Sequence, residues 1–280
     1  MRLVSVLAVV PAIAFCQGPP PDAREIVRQA IAADRKEAEL ARQYTFIQRN
    51  DEADLDGAGK IVKRQVRTYD VTLLEGSPYR RLLAVNDKPI SEAEQKLEEQ
   101  KLQASIEQRR NETPVERERR IEEWRRKQEK QREPVRELLD AFEFRLAGEE
   151  TLAGGETYVI DATPKRGYKP KSTATSFFPK VVLRLWIDKA GHQWVKLTMD
   201  VRDTVTFGGF LLRVAKGGHL TIEQTRVNSE VWLPKRATLN ASARLLLVKG
   251  YHKNIDVTFS GYRKFQVESR VVSTEADRER

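Results

Sequence analysis

The chain has 280 residues, a formal net charge of +9, 32% charged residues and a single cysteine. That length can bury a sizeable core in one large domain or two small ones, and one cysteine excludes a disulfide framework, so stability has to come from packing. The positive balance favours anionic partners and says nothing about fold.

Arg2 precedes an apolar stretch from Leu3 to Phe15. It is too short to span a bilayer and has the length of a secretory h-region, with Ala12-Ile13-Ala14 as a small-residue cleavage site. The expectation is an exported, periplasmic protein with residues 1–16 as signal peptide and 17–21 as a proline-rich spacer. Cys16 follows Ile13-Ala14-Phe15 in a pattern similar to a bacterial lipobox, with Phe15 where a small residue is wanted. Two readings stay open: a cysteine near the end of an ordinary signal peptide, or a lipidation site anchoring the protein to a membrane.

Asp22 is placed to cap a helix running to about Gln43, with Ile26, Val27, Ala30, Ile31, Ala38 and Ala41 as its apolar stripe. Strands follow at residues 44–50, 60–74 and 79–86, joined through turn-rich segments as an antiparallel meander. Ser91 with Glu94 fits a capping box and opens a charged helical insertion over residues 91–140, with thirteen basic and fourteen acidic residues. The remaining sequence therefore holds the positive surplus. Pro114 and Pro134 divide this insertion. Its sparse apolar residues do not make a coiled-coil seam, so it reads as a solvated arm or as a lid over the mouth of the sheet.

Strands resume at residues 144–149 and 156–163, and a polar loop spans 164–179. Seven further strands are expected at 180–188, 193–202, 204–215, 218–229, 230–248, 250–260 and 262–272, with a frayed tail over 273–280. Apolar and polar residues alternate along them, giving one oily and one wet face. Val195, Leu197, Met199 and Val201 are read onto one face. The oily face collects Val181, Leu183, Leu185, Ile187, Phe210, Leu212, Val214, Leu220, Ile222, Leu245, Leu247, Ile255, Val257 and Phe259. Ala237, Ala241 and Ala243 leave room on the same side. A sheet this wide must curl, and its lining suits an acyl chain or another hydrophobic ligand. The candidate ligand-binding residues are Leu183, Leu185, Ile187, Leu197, Met199, Phe210, Leu212, Val214, Leu220, Ile222, Leu245, Leu247, Val257 and Phe259.

Chemistry is harder to find. His192, His219 and His252 fall in or beside expected turns, no His/Cys/Asp/Glu grouping has metal-ligand spacing, and no nucleophile elbow, phosphate loop or dinucleotide fingerprint appears. The reading is a non-enzymatic protein without cofactor or metal. Lys165, Arg166, Lys169 and Lys171 form the densest basic patch, a candidate contact for an anionic surface. Export argues against nucleic acid.

Leu185-Trp186-Ile187-Asp188-Lys189-Ala190-Gly191 followed by Val195-Lys196, then Val231-Trp232-Leu233-Pro234, then Tyr262-Arg263-Lys264-Phe265, resemble in order three strand motifs of the LolA/LolB/RseB-type, outer-membrane lipoprotein-sorting-like superfamily. The resemblance covers residues 22–272 and implies one domain: a mainly β, α+β fold in which a large curved antiparallel sheet, an unclosed barrel, holds helices on its concave side. It implies binding of a lipid or lipoprotein acyl chain. The sensor branch implies the alternative, a regulatory or scaffolding envelope protein that contacts a partner through barrel and arm. The insertion at 91–140 is longer than a carrier's lid.

Overall fold

The computed structural model describes residues 21–207, 212–245 and 249–265. The signal-peptide reading, Cys16, Phe210, Leu247 and the tail lie outside these residues.

The chain opens with α1 (Ala23–Ala41), capped by the Asp22 carboxylate, which accepts from the Arg24 backbone N–H at 2.9 Å. Its stripe buries Ile26, Val27, Ala30 and Ala38. The first strands are β1 (Tyr44–Leu55), β2 (Ile61–Leu74), β3 (Ser77–Val85) and β4 (Lys88–Pro89). The insertion is three helices: α2 (Glu92–Arg110), α3 (Pro114–Gln131) and α4 (Glu133–Ala141). Ser91 with Glu94 forms the expected capping box, and Thr113 with Glu116 forms a second one, so each long helix has its own start signal. Pro114 and Pro134 each stand in a first turn, where proline costs no backbone bond.

The second strand series is β5 (Phe142–Leu152), β6 (Gly155–Pro164), β7 (Val181–Asp188), β8 (Trp194–Val201), β9 (Val205–Phe207), β10 (Leu212–Val214), β11 (His219–Val227), β12 (Val231–Leu245) and β13 (Lys249–Lys264). All pair antiparallel in one thirteen-stranded sheet of order β4-β3-β2-β1-β13-β12-β11-β8-β7-β6-β5. Its two end strands do not meet, so the barrel is unclosed.

Three expectations change. Residues 204–215 are not one strand: β9 and β10 pair with each other off the main path, β10 also joins β12, and β8 pairs directly with β11. Gly261 does not end a strand. It sits at φ +58° opposite a register shift in β1, so β13 runs through it to Lys264 as one strand. A bulged position of this kind takes glycine without steric cost. Val195 also leaves its expected face. A register shift between Trp186 and Ile187 turns Val195 outward against Trp186 and Val159, and Trp194 takes the inward place opposite Ile187. One extra residue in a bulge reverses the alternation on either side.

The arm is not a free lid. The Arg109 guanidinium donates to the carbonyls of Leu74 at 2.7 Å, Ser77 at 3.0 Å and Pro78 at 3.3 Å. Arg120 donates to Ser77 Oγ at 2.7 Å and to the Glu75 carbonyl at 3.0 Å. Glu98 accepts the β3 backbone N–H of Leu82 at 3.2 Å. These bonds fix α2 and α3 along the outer strand β3 and satisfy backbone groups that would otherwise face solvent. At the other end of α3, Arg132 pairs with Asp34 at 3.0 Å and Arg42 approaches Glu129 at 3.6 Å. Eighteen residues span about 27 Å, so α3 is a strap from the β2–β3 turn to α1.

Candidate functional site

The strand registers resolve the concave face into cross-strand rows. One row runs Ile160, Leu185, Leu197, Ile222, Ala237, Val257, Asn50, Arg67. The next runs Ala162, Leu183, Met199, Leu220, Leu239, Ile255, Glu52, Gln65. Each is apolar through six strands and turns polar at the step from β13 to β1. Strands lie about 4.8 Å apart, so the change is complete within one side chain's width.

Along these rows burial falls. Leu183, Leu185 and Ile187 are 6%, 0% and 0% exposed in a core with Ile26, Val27 and Ala30 of α1 and Leu138 and Ala141 of α4. Leu197, Met199 and Val214 are half-buried against that core. Leu220, Ile222, Leu239, Ile255, Val257 and Phe259 are also half-buried, but outside the fully buried core. Of the fourteen residues read as ligand-binding, three therefore fill the sealed core. Leu197, Met199, Val214, Leu220, Ile222, Val257 and Phe259 lie on the part that remains open. Leu212 and Leu245 stand opposite each other in the β10–β12 ladder. Sequence reading omitted Leu239 from the lining, although its alternation with Ala237 and Ala241 marked it.

Three clefts open along this band. One of about 140 Å³ lies between Asp34, Val135, Leu138, Trp194, Leu197 and Ile222. A second, of about 190 Å³, has an apolar wall that includes Phe177, Met199, Val205, Val214, Leu220 and Leu239. The third, of about 270 Å³, lies under the strap between Trp124, Phe46, Val71, Leu73, Phe259 and Tyr262. Its aromatic wall is built by edge contacts, Phe46 to Phe259 at 5.6 Å and Tyr44 to Tyr262 at 6.4 Å between ring centroids. Its charges are paired: Arg42 meets Glu39 at 2.5 Å, and Arg132 meets Asp34. Burial pushes the Asp34 carboxyl up, against the pull of Arg132. The Tyr262 hydroxyl, raised by burial, donates to the Pro234 carbonyl.

The basic loop divides. The Lys165 ammonium donates to the Leu139 carbonyl at 2.9 Å, and Lys171 pairs with Asp140 at 2.5 Å. Arg166 and Lys169 are exposed. The loop is tied down by Glu137, which is 6% exposed and accepts from the Tyr168 hydroxyl and from the Lys171 backbone N–H at 3.0 Å. Burial acts to raise the Glu137 carboxyl, but these bonds outweigh it and hold it below its ordinary value. Burial and the same carboxylate push Tyr168 up to about 12.

His219 opens β11, with Nδ1 2.7 Å from Asp200 Oδ1, and His252 lies in β13, with Nδ1 2.7 Å from Ser242 Oγ. His192 occupies a turn at φ +55°. Among the described residues no three His, Cys, Asp or Glu side chains gather at a metal-binding spacing, and no helix is long and apolar enough to cross a membrane.

No family model matches the chain, and no curated protein matches it in sequence. Solved structures do resemble it in shape. An outer membrane lipoprotein-sorting protein domain from Vibrio parahaemolyticus is 11% identical, over 86% of this chain and 93% of that one, with a TM-score of 0.36. The lipoprotein LppX from Mycobacterium tuberculosis is 10% identical over 87% and 96%, with a TM-score of 0.32. A LolA superfamily protein from Nitrosomonas europaea is 9% identical over 86% and 92%, with a TM-score of 0.29. At these values the likeness concerns shape alone, and what those proteins bind is theirs.

Proposed function

We propose that this protein is a non-catalytic binder of a hydrophobic ligand, a lipid or lipoprotein acyl chain, held on the concave face of the half-barrel in the cell envelope. The observation that carries this reading is the half-buried apolar band of Leu220, Ile222, Leu239, Ile255, Val257 and Phe259, which lies outside the fully buried core and is flanked by clefts. A contiguous apolar surface inside a concave wall costs free energy until something covers it. Each methylene it removes from water contributes roughly 0.8 kcal/mol, so a long chain binds without designed polar contacts.

The test is native mass spectrometry of protein purified from membranes. A co-purified lipid mass is expected, and Ile222→Asp or Leu239→Asp should remove it while circular dichroism stays unchanged. Protein that is free of lipid, and that takes up none when offered lysophospholipid, would overturn the reading. A second reading, contact with another envelope protein through the arm, draws support from Val115, which is 75% exposed near the start of α3. Loss of a captured protein on Val115→Asp, with the lipid mass retained, would favour it.

A further inference from the structure

The polar ends of the cross-strand rows have a sign. Where the apolar band stops, the inward positions of β1 are Gln48, Asn50, Glu52 and Asp54, and those of β2 are Lys63, Gln65, Arg67 and Tyr69. Asp54 is held by Lys253 of β13 at 3.0 Å. Glu52 is then the remaining carboxylate, against Lys63, Arg67 and Arg80, all three exposed. The Arg80 guanidinium carbon lies over the Tyr69 ring, 4.1 Å from its centroid, which keeps the cation beside the row. Asp51 and Asp70, on the opposite face, are taken by Arg64 at 2.6 Å and Arg263 at 2.5 Å. The rim of the concave face thus carries four cations against two carboxylates.

Resting on the reading above, we infer that the ligand is an anionic phospholipid, lying with its chain along the rows over β11–β13 and its phosphate head group over the Lys63–Arg67–Arg80 rim. Val257, Asn50 and Arg67 are consecutive in one row, so about 10 Å separates the last apolar contact from the first cation. That is the reach from the upper chain of a glycerophospholipid to its phosphate. Lys63 and Arg67 stand four residues apart on one strand, about 13 Å. This is wider than a lone carboxylate engages and suits a phosphate with a polar extension. Arginine and lysine together favour such an oxyanion through charge-assisted hydrogen bonds.

The experiment compares lysophosphatidylglycerol with lysophosphatidylcholine of the same chain length, both below their micellar concentration, by isothermal titration. The full-length protein should bind the anionic lipid at least tenfold more tightly, with a preference that shrinks as salt is raised. The double variant Lys63→Gln/Arg67→Gln should lose that preference and keep its affinity for the choline lipid. Arg166→Gln/Lys169→Gln, on the separate basic loop, should keep both affinities. Equal binding of the two lipids by the unaltered protein overturns this inference and leaves hydrophobic binding in place. A preference lost only through the Arg166/Lys169 variant overturns it as well. Binding of neither lipid overturns both readings.

Discussion

Toward β5–β8 the inward rows end beneath α1 and α4, where Leu185 and Ile187 have no solvent contact, whereas over β11–β13 the next residues of the same rows are only half-buried. The residue types hardly differ between these regions. What differs is the cover. α1 has a stripe rich in alanine that lets it lie close to β5, β7 and β12, and α4 adds Leu138 and Ala141 beside it. Among the described residues, β11 and β13 have no such helix packed along them, and β12 meets only α1. α2 and α3 have no buried residue; α2 packs on the outer strand β3, and α3 crosses from β3 to α4 and α1 with a cleft left beneath it. An inward leucine is therefore core at one end and candidate contact surface at the other, and alternation alone does not distinguish the two.

The comparison breaks most visibly at Leu185 and Leu239. Leu185→Ala leaves a void in a sealed core and should cost about 3–5 kcal/mol, whereas Leu239→Ala should cost about 1 kcal/mol or less, because the site is already open to solvent. Urea unfolding of both variants checks this, and equal losses would mean that the two regions are packed alike.

A smaller effect is expected at Glu137, which locks the basic loop to the sealed end. Glu137→Ala strands the Tyr168 hydroxyl and should cost about 1–3 kcal/mol. The pH dependence has a definite sign. The folded carboxyl lies below its unfolded value, so its contribution is complete above that value, near pH 4.5, and is lost as pH falls through the folded one. Stability curves measured between pH 7 and pH 3 should converge for the wild-type and Glu137→Gln proteins at the acid end. Parallel curves would remove the carboxylate from the account.

The smallest effect sharpens the comparison at the arm. Arg109→Met removes three side-chain bonds to the β2–β3 turn and should leave global stability within about 1 kcal/mol, while hydrogen exchange of α2 amides accelerates. Unchanged exchange would show that the arm is held by other contacts.

Much of the fold was legible because alternation is a local signal. It marked most of the strands, the capping box at Ser91 marked the arm, and both prolines marked its divisions. What escaped depends on pairing across distance. The β1–β13 contact joins residues roughly two hundred positions apart, and nothing local in Tyr44–Leu55 announces its partner. Val195 escaped because a bulge shifts the period by one residue, and Gly261 because a glycine looks alike in a turn and in a bulge. The candidate site was half legible. The apolar lining could be read from the strands, but its division into sealed and open parts rests on where α1 and α4 land. The cationic rim becomes visible only once β13, β1 and β2 are placed side by side.

The arginine clasp on β3 has a consequence for how copies of this molecule meet. An antiparallel sheet that never closes carries an unpaired border, and such a border templates the addition of strands from another chain. By occupying the Leu82 N–H and the carbonyls of Leu74, Ser77 and Pro78 from within, the arm denies that template to a neighbour. At this border the charged helices stand where a strand from another copy would have to add, while the border at β5 has no such clasp.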